Sequence, residues 1–245
     1  MRGYVDVHSH VVPSGDDGAR SLEDGIGLCL EAARRGTRTL YATPHVWPSL
    51  PLTAEREREV RIVHARMAAE LAGRGLELRL GWELTPHERL LDEDPARYRL
   101  GPLPAVLMEV PFLGGLELTE RLGEHVEARG LMPVVAHPER GESVLSDPGA
   151  AVELAARGWL LQVNATSLLG YHGAEEESVG WSLLEDGHAA LVGSDGHRSA
   201  RPPHLDEAHR LARARLGPER ADRLFDGSAL EALARRDGVD LAQRG

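Results

Sequence analysis

The sequence predicts a single α/β domain whose parallel strands close, or nearly close, into a barrel, and three observations point there. Seven short apolar runs alternate with amphipathic stretches of ten or more residues, the pattern of βα units in a parallel sheet. Glycine stands at helix-to-strand junctions, at Gly36, Gly75, Gly130, Gly158 and Gly187, where a left-handed cap is expected to end a helix. No linker rich in Pro, Gly or Ser divides the chain, so residues 1–245 read as one domain.

The first strand, Tyr4 to Val7, leads into His8 and His10. Side chains alternate across a strand, so two imidazoles two residues apart leave its C-terminal end on the same side. In the first helix, Leu22 to Arg35, the apolar residues Leu22, Ile26, Cys29, Leu30 and Ala33 recur at helical spacing. Cys29 and Arg35 also stand in the Cys-x5-Arg spacing of thiol-based phosphatases. The residues between them are Ala-rich, with no glycine to curl amides around a phosphate, so Cys29 reads as a small core residue.

The second strand, Arg38 to Ala42, runs into Thr43-Pro44-His45; a helix from Thr53 to Ala72 and a strand from Leu76 to Gly81 follow, the latter running into Trp82-Glu83. The segment His87 to Pro104 is long, charged and proline-containing, and reads as an excursion at the barrel mouth. A strand from Ala105 to Val110 carries Glu109. After a helix from Glu117 to Arg129, the strand Met132 to Ala136 ends in His137-Pro138-Glu139-Arg140. A helix from Pro148 to Arg157, a strand from Trp159 to Val163 and a helix from Glu175 to Asp186 continue the alternation. The last strand, Ala189 to Gly193, runs into Ser194-Asp195-Gly196-His197, helices follow Pro203, and a polar tail lies beyond Asp237.

Composition narrows the function. Apolar residues at 42% and charged residues at 27% describe a soluble globular protein. A formal charge of -11 argues against sequence-independent binding to nucleic acid or to an anionic membrane. No apolar stretch nears the roughly 20 residues that span a bilayer, and the N-terminus lacks a basic region followed by an apolar one, which together predict a cytoplasmic protein without membrane insertion. One cysteine leaves no internal disulfide framework, and all 28 basic residues are arginine.

Six of the seven predicted strands finish in a His, Asp or Glu, and in a parallel barrel those ends share one face. Imidazoles and carboxylates crowded together without a cation would repel or stay unsatisfied, so the clustering itself implies metal.

The succession His8-x-His10, Asp16-Asp17-Gly18-Ala19, Thr43-Pro44-His45, Glu83, Glu109, His137-Pro138-Glu139-Arg140 and Ser194-Asp195-Gly196-His197 resembles the PHP superfamily, named for polymerase and histidinol phosphatase. The Asp-Asp-Gly-Ala turn, the His-Pro-Glu-Arg string and Arg201-Pro202-Pro203-His204 are similar, more narrowly, to the bacterial manganese-dependent protein-tyrosine phosphatases of capsule and exopolysaccharide operons. The resemblance spans residues 4 to about 210. It implies a distorted (β/α)7 barrel with its metal centre at the C-terminal ends of the strands, holding three divalent metal ions, manganese first, with iron or zinc admissible. By position, His8, His10, Glu83 and Asp195 would hold the first; Glu83 would bridge to a second that also takes Glu109 and His137; Asp17, His45 and His197 would hold the third. The substrate implied is a phosphotyrosine protein, an autophosphorylated bacterial tyrosine kinase that controls polysaccharide export. Relatives commonly form rings or smaller oligomers, so the resemblance admits a homo-oligomer.

The donor chemistry agrees. Five imidazoles and four carboxylates without a thiolate suit manganese, iron(II) or zinc. Four carboxylates against three divalent ions leave a formal +2, which suits a phosphate dianion, and two cations roughly 3.5 to 4 Å apart can share a hydroxide nucleophile. Arg140, beside His137, can meet non-bridging oxygens with a forked pair of donors, and Arg201 is a second candidate whose alternative is a local carboxylate partner. A phenolate leaves with a pKa near 10, so a tyrosyl ester needs less help from an acid than an alkyl ester.

Of the remaining histidines, His64, His125, His188 and His209 read as solvated or packed, whereas His87 and His172 lie in mouth segments, and His204 is a candidate to support a ligand. Glu139 is expected either to orient a ligand histidine or to pair with Arg140. Trp47 reads equally as a wall for an aromatic leaving group or as a cap on the barrel. Three rival functions stand beside the tyrosine phosphatase: a phosphatase of a small ester such as histidinol phosphate, a non-catalytic metal-binding protein that docks a kinase, and barrel-type deamination or amide hydrolysis. The last typically uses a lysine between metals, and this chain has none.

Overall fold

A computed structural model describes residues 3–198 and 200–239. In chain order these form β1 (Tyr4–Ser9), α1 (Leu22–Arg34), β2 (Thr37–Ala42), β3 (His45–Val46), α2 (Ala54–Glu70), β4 (Glu77–Leu80), β5 (Glu83–Leu84), β6 (Ala105–Glu109) and α3 (Glu117–Glu127). They continue with β7 (Met132–Ala136), α4 (Glu142–Ser146), α5 (Gly149–Ala156), β8 (Leu160–Asn164), α6 (Ala165–Leu168), α7 (Ala174–Glu185), β9 (Ala189–Gly193), α8 (Asp206–Leu216), α9 (Pro218–Phe225) and α10 (Ser228–Arg236). Every strand pairing is parallel, in the orders β1-β2-β4 and β3-β5-β6-β7-β8-β9.

All seven predicted strands are present, and two of them continue past a break. Pro44 has no N–H to give a ladder, and β2 stops at Ala42 before β3 resumes at His45; β4 and β5 are likewise separated by Gly81-Trp82. The broken strands stay side by side, because Gly81 N–H donates to Ala42 O at 2.8 Å and Glu83 N–H to Pro44 O at 3.1 Å. The circle closes at its C-terminal rim: Ser9 bridges Gly196, His10 N–H donates to Gly196 O at 2.6 Å, and Asp195 N–H to His8 O at 2.9 Å. Closure is therefore made by the backbone of the proposed ligands His8, His10 and Asp195 and of the residues Ser9 and Gly196 beside them.

One expectation needs correction. The segment from His87 to Pro104 does not remain at the mouth. It makes two 3-10 turns, Glu88–Asp92 and Pro95–Tyr98, and descends to the opposite end of the barrel. There Gly101 N–H donates to Leu80 O at 2.8 Å and Leu100 N–H to Ala105 O at 2.9 Å. Parallel β5 and β6 require such a return, and its prolines disfavour a continuous α-helix. In α1 the buried stripe is Gly25, Leu28, Cys29 and Ala32, while Leu22, Ile26, Leu30 and Ala33 are only partly covered. The helix is rolled toward Gly25, where a Cβ would stand 2.2 Å from Val11 O and 2.8 Å from Met67 Cε. Cys29 is buried as expected, and burial pushes its thiol up to about 12.

The five junction glycines carry positive φ, from 72° to 98°. Ser21 and Thr53 cap α1 and α2 by accepting from Asp24 N–H and Arg56 N–H. The Arg56 side chain turns back to donate to His45 O at 2.8 Å, Leu50 O and Ser14 O, fixing β3 and the loop after β1. The polar tail expected beyond Asp237 lies, from residue 240 onward, outside the described residues.

Candidate metal centre

The strand ends deliver their side chains to one buried cluster. His8 and His10 leave β1 on the same side, as the alternation of side chains requires, and their Nε2 atoms stand 3.2 Å apart. Each lies 3.1 Å from Glu83 Oε2 on β5 and 3.4–3.5 Å from Asp195 Oδ1 after β9. His45 Nδ1 on β3 is 3.0 Å from the same Glu83 oxygen, and His137 Nε2 after β7 is 3.0 Å from the other. Asp17 Oδ1 lies 3.2 Å from His197 Nε2 and 3.6 Å from His45 Nε2. Asp17 is exposed; His8, His10, His45, Glu83, Glu109, His137, Asp195 and His197 are all buried.

These atoms form three groups compact enough to hold an ion: His8, His10 and Asp195; His8, Glu83 and His137; and His10, Asp17, His45 and His197. His10 thus borders two groups, where sequence reasoning gave it one. Glu109 lies at the margin, with Oε2 4.0 Å from His137 Nε2 and Oε1 accepting from the Thr85 hydroxyl.

The cluster fits divalent cations on its own terms. Glu83 Oε2 is buried and accepts no hydrogen bond, although three imidazole nitrogens stand 3.0–3.1 Å away. Ligand atoms held about 2.0–2.2 Å from one ion are about 3 Å from each other. The donor set of imidazole and carboxylate, without thiolate, suits manganese, iron(II) or zinc.

Electrostatics point the same way. Burial works against charge on Glu83 and Asp195. The surrounding histidines, joined at Asp195 by Arg201, nevertheless hold both carboxyls well below the usual carboxylate range. Burial likewise opposes charge on His10, yet Asp16, Asp195 and Glu83 raise it well above its ordinary value. Burial and the neighbouring Glu83 charge push Glu109 up to about 8. The pocket draws positive charge, whether as protons or as cations.

Arg140 and Arg201 both reach Asp195. Arg140 Nη1 is 2.8 Å and Arg201 Nη1 3.5 Å from Oδ2, the oxygen turned away from the His8–His10 pair, and Arg201 also touches His197. Burial and these two arginines push half-buried His172 down to about 4, and its Nε2 lies 2.8 Å from the Thr166 hydroxyl. Trp47 stacks on His45 with ring centroids 4.4 Å apart.

Two supporting amides were invisible to a search for His, Asp and Glu at strand ends. Gln162 on β8 places Oε1 2.8 Å from His8 Nδ1, and Asn164 Nδ2 donates to Asp195 Oδ2 at 2.9 Å. β8 was the one strand without a predicted ligand, and its amides reach two of the others' candidate ligands. The Asp16 side chain is covered beside exposed Asp17; it accepts from Gly18 N–H and His45 N–H at 3.0 Å and faces His10 Nδ1 at 3.5 Å. Asp6, which burial pushes up to about 6, accepts from Ser194 N–H at 3.0 Å and His8 N–H at 3.3 Å.

Two expected supports act elsewhere. Glu139 neither orients a histidine nor pairs with Arg140. It accepts from Asn164 N–H at 2.9 Å and the Ser167 hydroxyl at 2.7 Å, because its strand end abuts the start of α6. His204 lies 3.6 Å from Glu31 on α1 and supports no candidate ligand. Of the histidines read as packed, His209 is buried between Tyr4 and Phe225 with Asp222 2.8 Å away.

A family model described as capsular polysaccharide synthesis, CpsB/CapC, matches residues 4–234. Tyrosine-protein phosphatase YwqE of Bacillus subtilis (strain 168) is 28% identical over 226 residues, which cover 88% of this chain and 86% of that protein. Among solved structures, one from the pair YwqE of Bacillus subtilis and CpsB of Streptococcus pneumoniae, called unique metal-dependent tyrosine phosphatases, superposes with a TM-score of 0.84 at 27% identity, covering 96% of both chains. A phosphotriesterase homology protein of Escherichia coli shares the fold alone, at 10% identity and a TM-score of 0.59 over 94% of this chain and 98% of that one.

Proposed function

Because the chain belongs to the capsular polysaccharide synthesis family CpsB/CapC, we propose that it is a metal-dependent tyrosine-protein phosphatase. The observation that carries this reading is the position of Asp195. Its Oδ1 stands among His8, His10 and His197, while its Oδ2 holds Arg140 and faces Arg201, so the metal-binding cluster and the phosphate-binding guanidiniums meet at one carboxylate.

In this reading, His8, His10, Glu83 and Asp195 would hold one divalent ion, manganese by preference, Glu83, Glu109 and His137 a second, and Asp17, His45 and His197 a third. When bound, the ions supply a nucleophilic hydroxide at neutral pH and polarise the phosphate. The chain supplies placement and charge. Arg140 and Arg201 grip non-bridging phosphate oxygens, and Gln162, Asp16 and Asn164 hold His8, His10 and Asp195 in the rotamers that face the ions. The phenolate of tyrosine departs without a strong acid.

The partner is a phosphotyrosine protein, namely a tyrosine kinase controlling polysaccharide export, met in the cytoplasm where ATP supports its phosphorylation. The test compares a phosphotyrosine peptide with histidinol phosphate on the manganese-loaded protein. A large preference for the peptide is expected; a large preference for the small ester overturns the reading. A fully metallated protein inert to every aryl phosphate would instead be a kinase-docking protein.

A further inference from the structure

Phe112 follows β6 and Pro111, three residues after Glu109. Its ring lies nearly parallel to His137, with centroids 5.7 Å apart and an interplanar angle of 17°. The Arg140 guanidinium sits over the same ring, 4.6 Å from its centroid. A large apolar side chain here is expected to be covered, yet Phe112 is 48% exposed and the adjacent Leu113 is 79% exposed.

The loop is held in register with Arg140. Glu142 N–H donates to Phe112 O at 3.1 Å, and Gly114 N–H donates to Glu142 Oε2 at 3.1 Å. Gly141, next to Arg140, packs so closely on Val110, just past β6, that a Cβ would stand 2.4 Å from Val110 Cγ1. An exposed aromatic ring is thereby fixed beside a proposed ligand and beneath a proposed phosphate-binding arginine.

We propose that Phe112 is a specificity-determining residue: its exposed rim, extended by Leu113, packs against the aromatic ring of an aryl phosphate whose phosphate is held by Arg140. The proposal rests on the phosphatase reading. It assigns aryl selectivity to a wall at the mouth, separate from the chemistry of bond cleavage. An alkyl phosphate meets the same arginine and cations but gains nothing from the wall.

The test is calorimetric binding of two non-hydrolysable probes, phenylphosphonate and methylphosphonate, to the manganese-loaded protein and its variants, with metal content measured for each. The protein itself should bind phenylphosphonate more tightly. Phe112→Ala should weaken phenylphosphonate by roughly tenfold while leaving methylphosphonate within about twofold, and Phe112→Tyr should keep the preference. Equal weakening of both probes would reduce Phe112 to a support for Arg140, and no weakening of either would leave it without a role; each overturns the proposal. Failure of the unmodified, metal-loaded protein to hydrolyse phosphotyrosine would sink the phosphatase reading by a measurement independent of this ratio.

Discussion

Nε2 of His8 and Nε2 of His10 face each other across 3.2 Å, and both lie 3.1 Å from one oxygen of Glu83. Two imidazole lone pairs at that separation require a proton or a cation between them. Metal removal should therefore destabilise the whole barrel, because the cluster also closes β1 onto the end of β9. One site held at a hundredfold excess of free ion over its Kd contributes about 2.7 kcal/mol. For a chain of this size that corresponds to roughly 5–10 °C in Tm. Calorimetric scans with and without chelator would measure it, and an unchanged Tm would deny that these residues bind metal.

His137→Ala should abolish hydrolysis while leaving the fold largely intact. The side chain reaches Glu83 Oε1 at 3.0 Å but lies beyond the end of β7, so its loss removes a ligand and little core. A deficit of several kcal/mol in transition-state stabilisation lowers kcat/KM on the order of 10²–10³. Bound metal should fall by one equivalent with an unchanged far-ultraviolet circular dichroism spectrum; retained full activity would strike His137 from the ligand set.

Arg140→Lys should behave as a loss. The guanidinium both holds Asp195 Oδ2 and spans the Phe112 ring, and an ammonium reproduces neither the fork nor the flat stacking. Hydrogen bonds to charged groups are worth about 1.5–3 kcal/mol, so kcat/KM toward phosphotyrosine should drop roughly 10–100-fold with metal content unaltered. Full activity in the lysine variant would remove Arg140 from phosphate binding.

Gln162→Leu tests the amide behind His8. Losing such a partner typically costs 10–100-fold in metal affinity. Metal titration of the variant should show that decrease, and unchanged affinity would mean that packing alone sets the His8 ring.

Gly18→Ala should be harmful. Its added Cβ would stand 2.3 Å from His10 O and 2.7 Å from His10 Cβ, in a turn closed by Asp16 and by Ala19 N–H donating to His10 O. Overpacking of this kind costs about 1–3 kcal/mol, to be read from urea unfolding. No change in midpoint would show that the turn relaxes freely.

Of the residues the structure gathers, His8, His10, His45, Glu83, Glu109, His137, Asp195 and His197 could be singled out in the sequence because they stand at or just past the end of an apolar run and parallel strands collect their ends on one rim, whereas Asp16 and Asp17 lie on the loop after β1. Gln162 and Asn164 escaped because a neutral amide on a strand looks like any polar residue until its partner is known. Glu139 misled for the opposite reason: a carboxylate beside a ligand invites a ligand's role, but its neighbours are set by how β8 enters α6. The breaks at Thr43-Pro44 and Gly81-Trp82 left no periodic trace, being only two residues long. Phe112 was passed over because one aromatic residue after a strand is ordinarily core, and only its exposure distinguishes it.

Among the described residues, His137 and Asp195 are the two other than glycine whose backbone takes positive φ, at 34° and 50°. Such conformations cost of order 1–3 kcal/mol each unless the surroundings enforce them. Selection for endurance alone would favour glycine at both positions, which would relax the backbone and delete two donors. The chain instead keeps side chains there, so its activity and its thermal tolerance should trade against each other at these two positions more sharply than elsewhere on the rim.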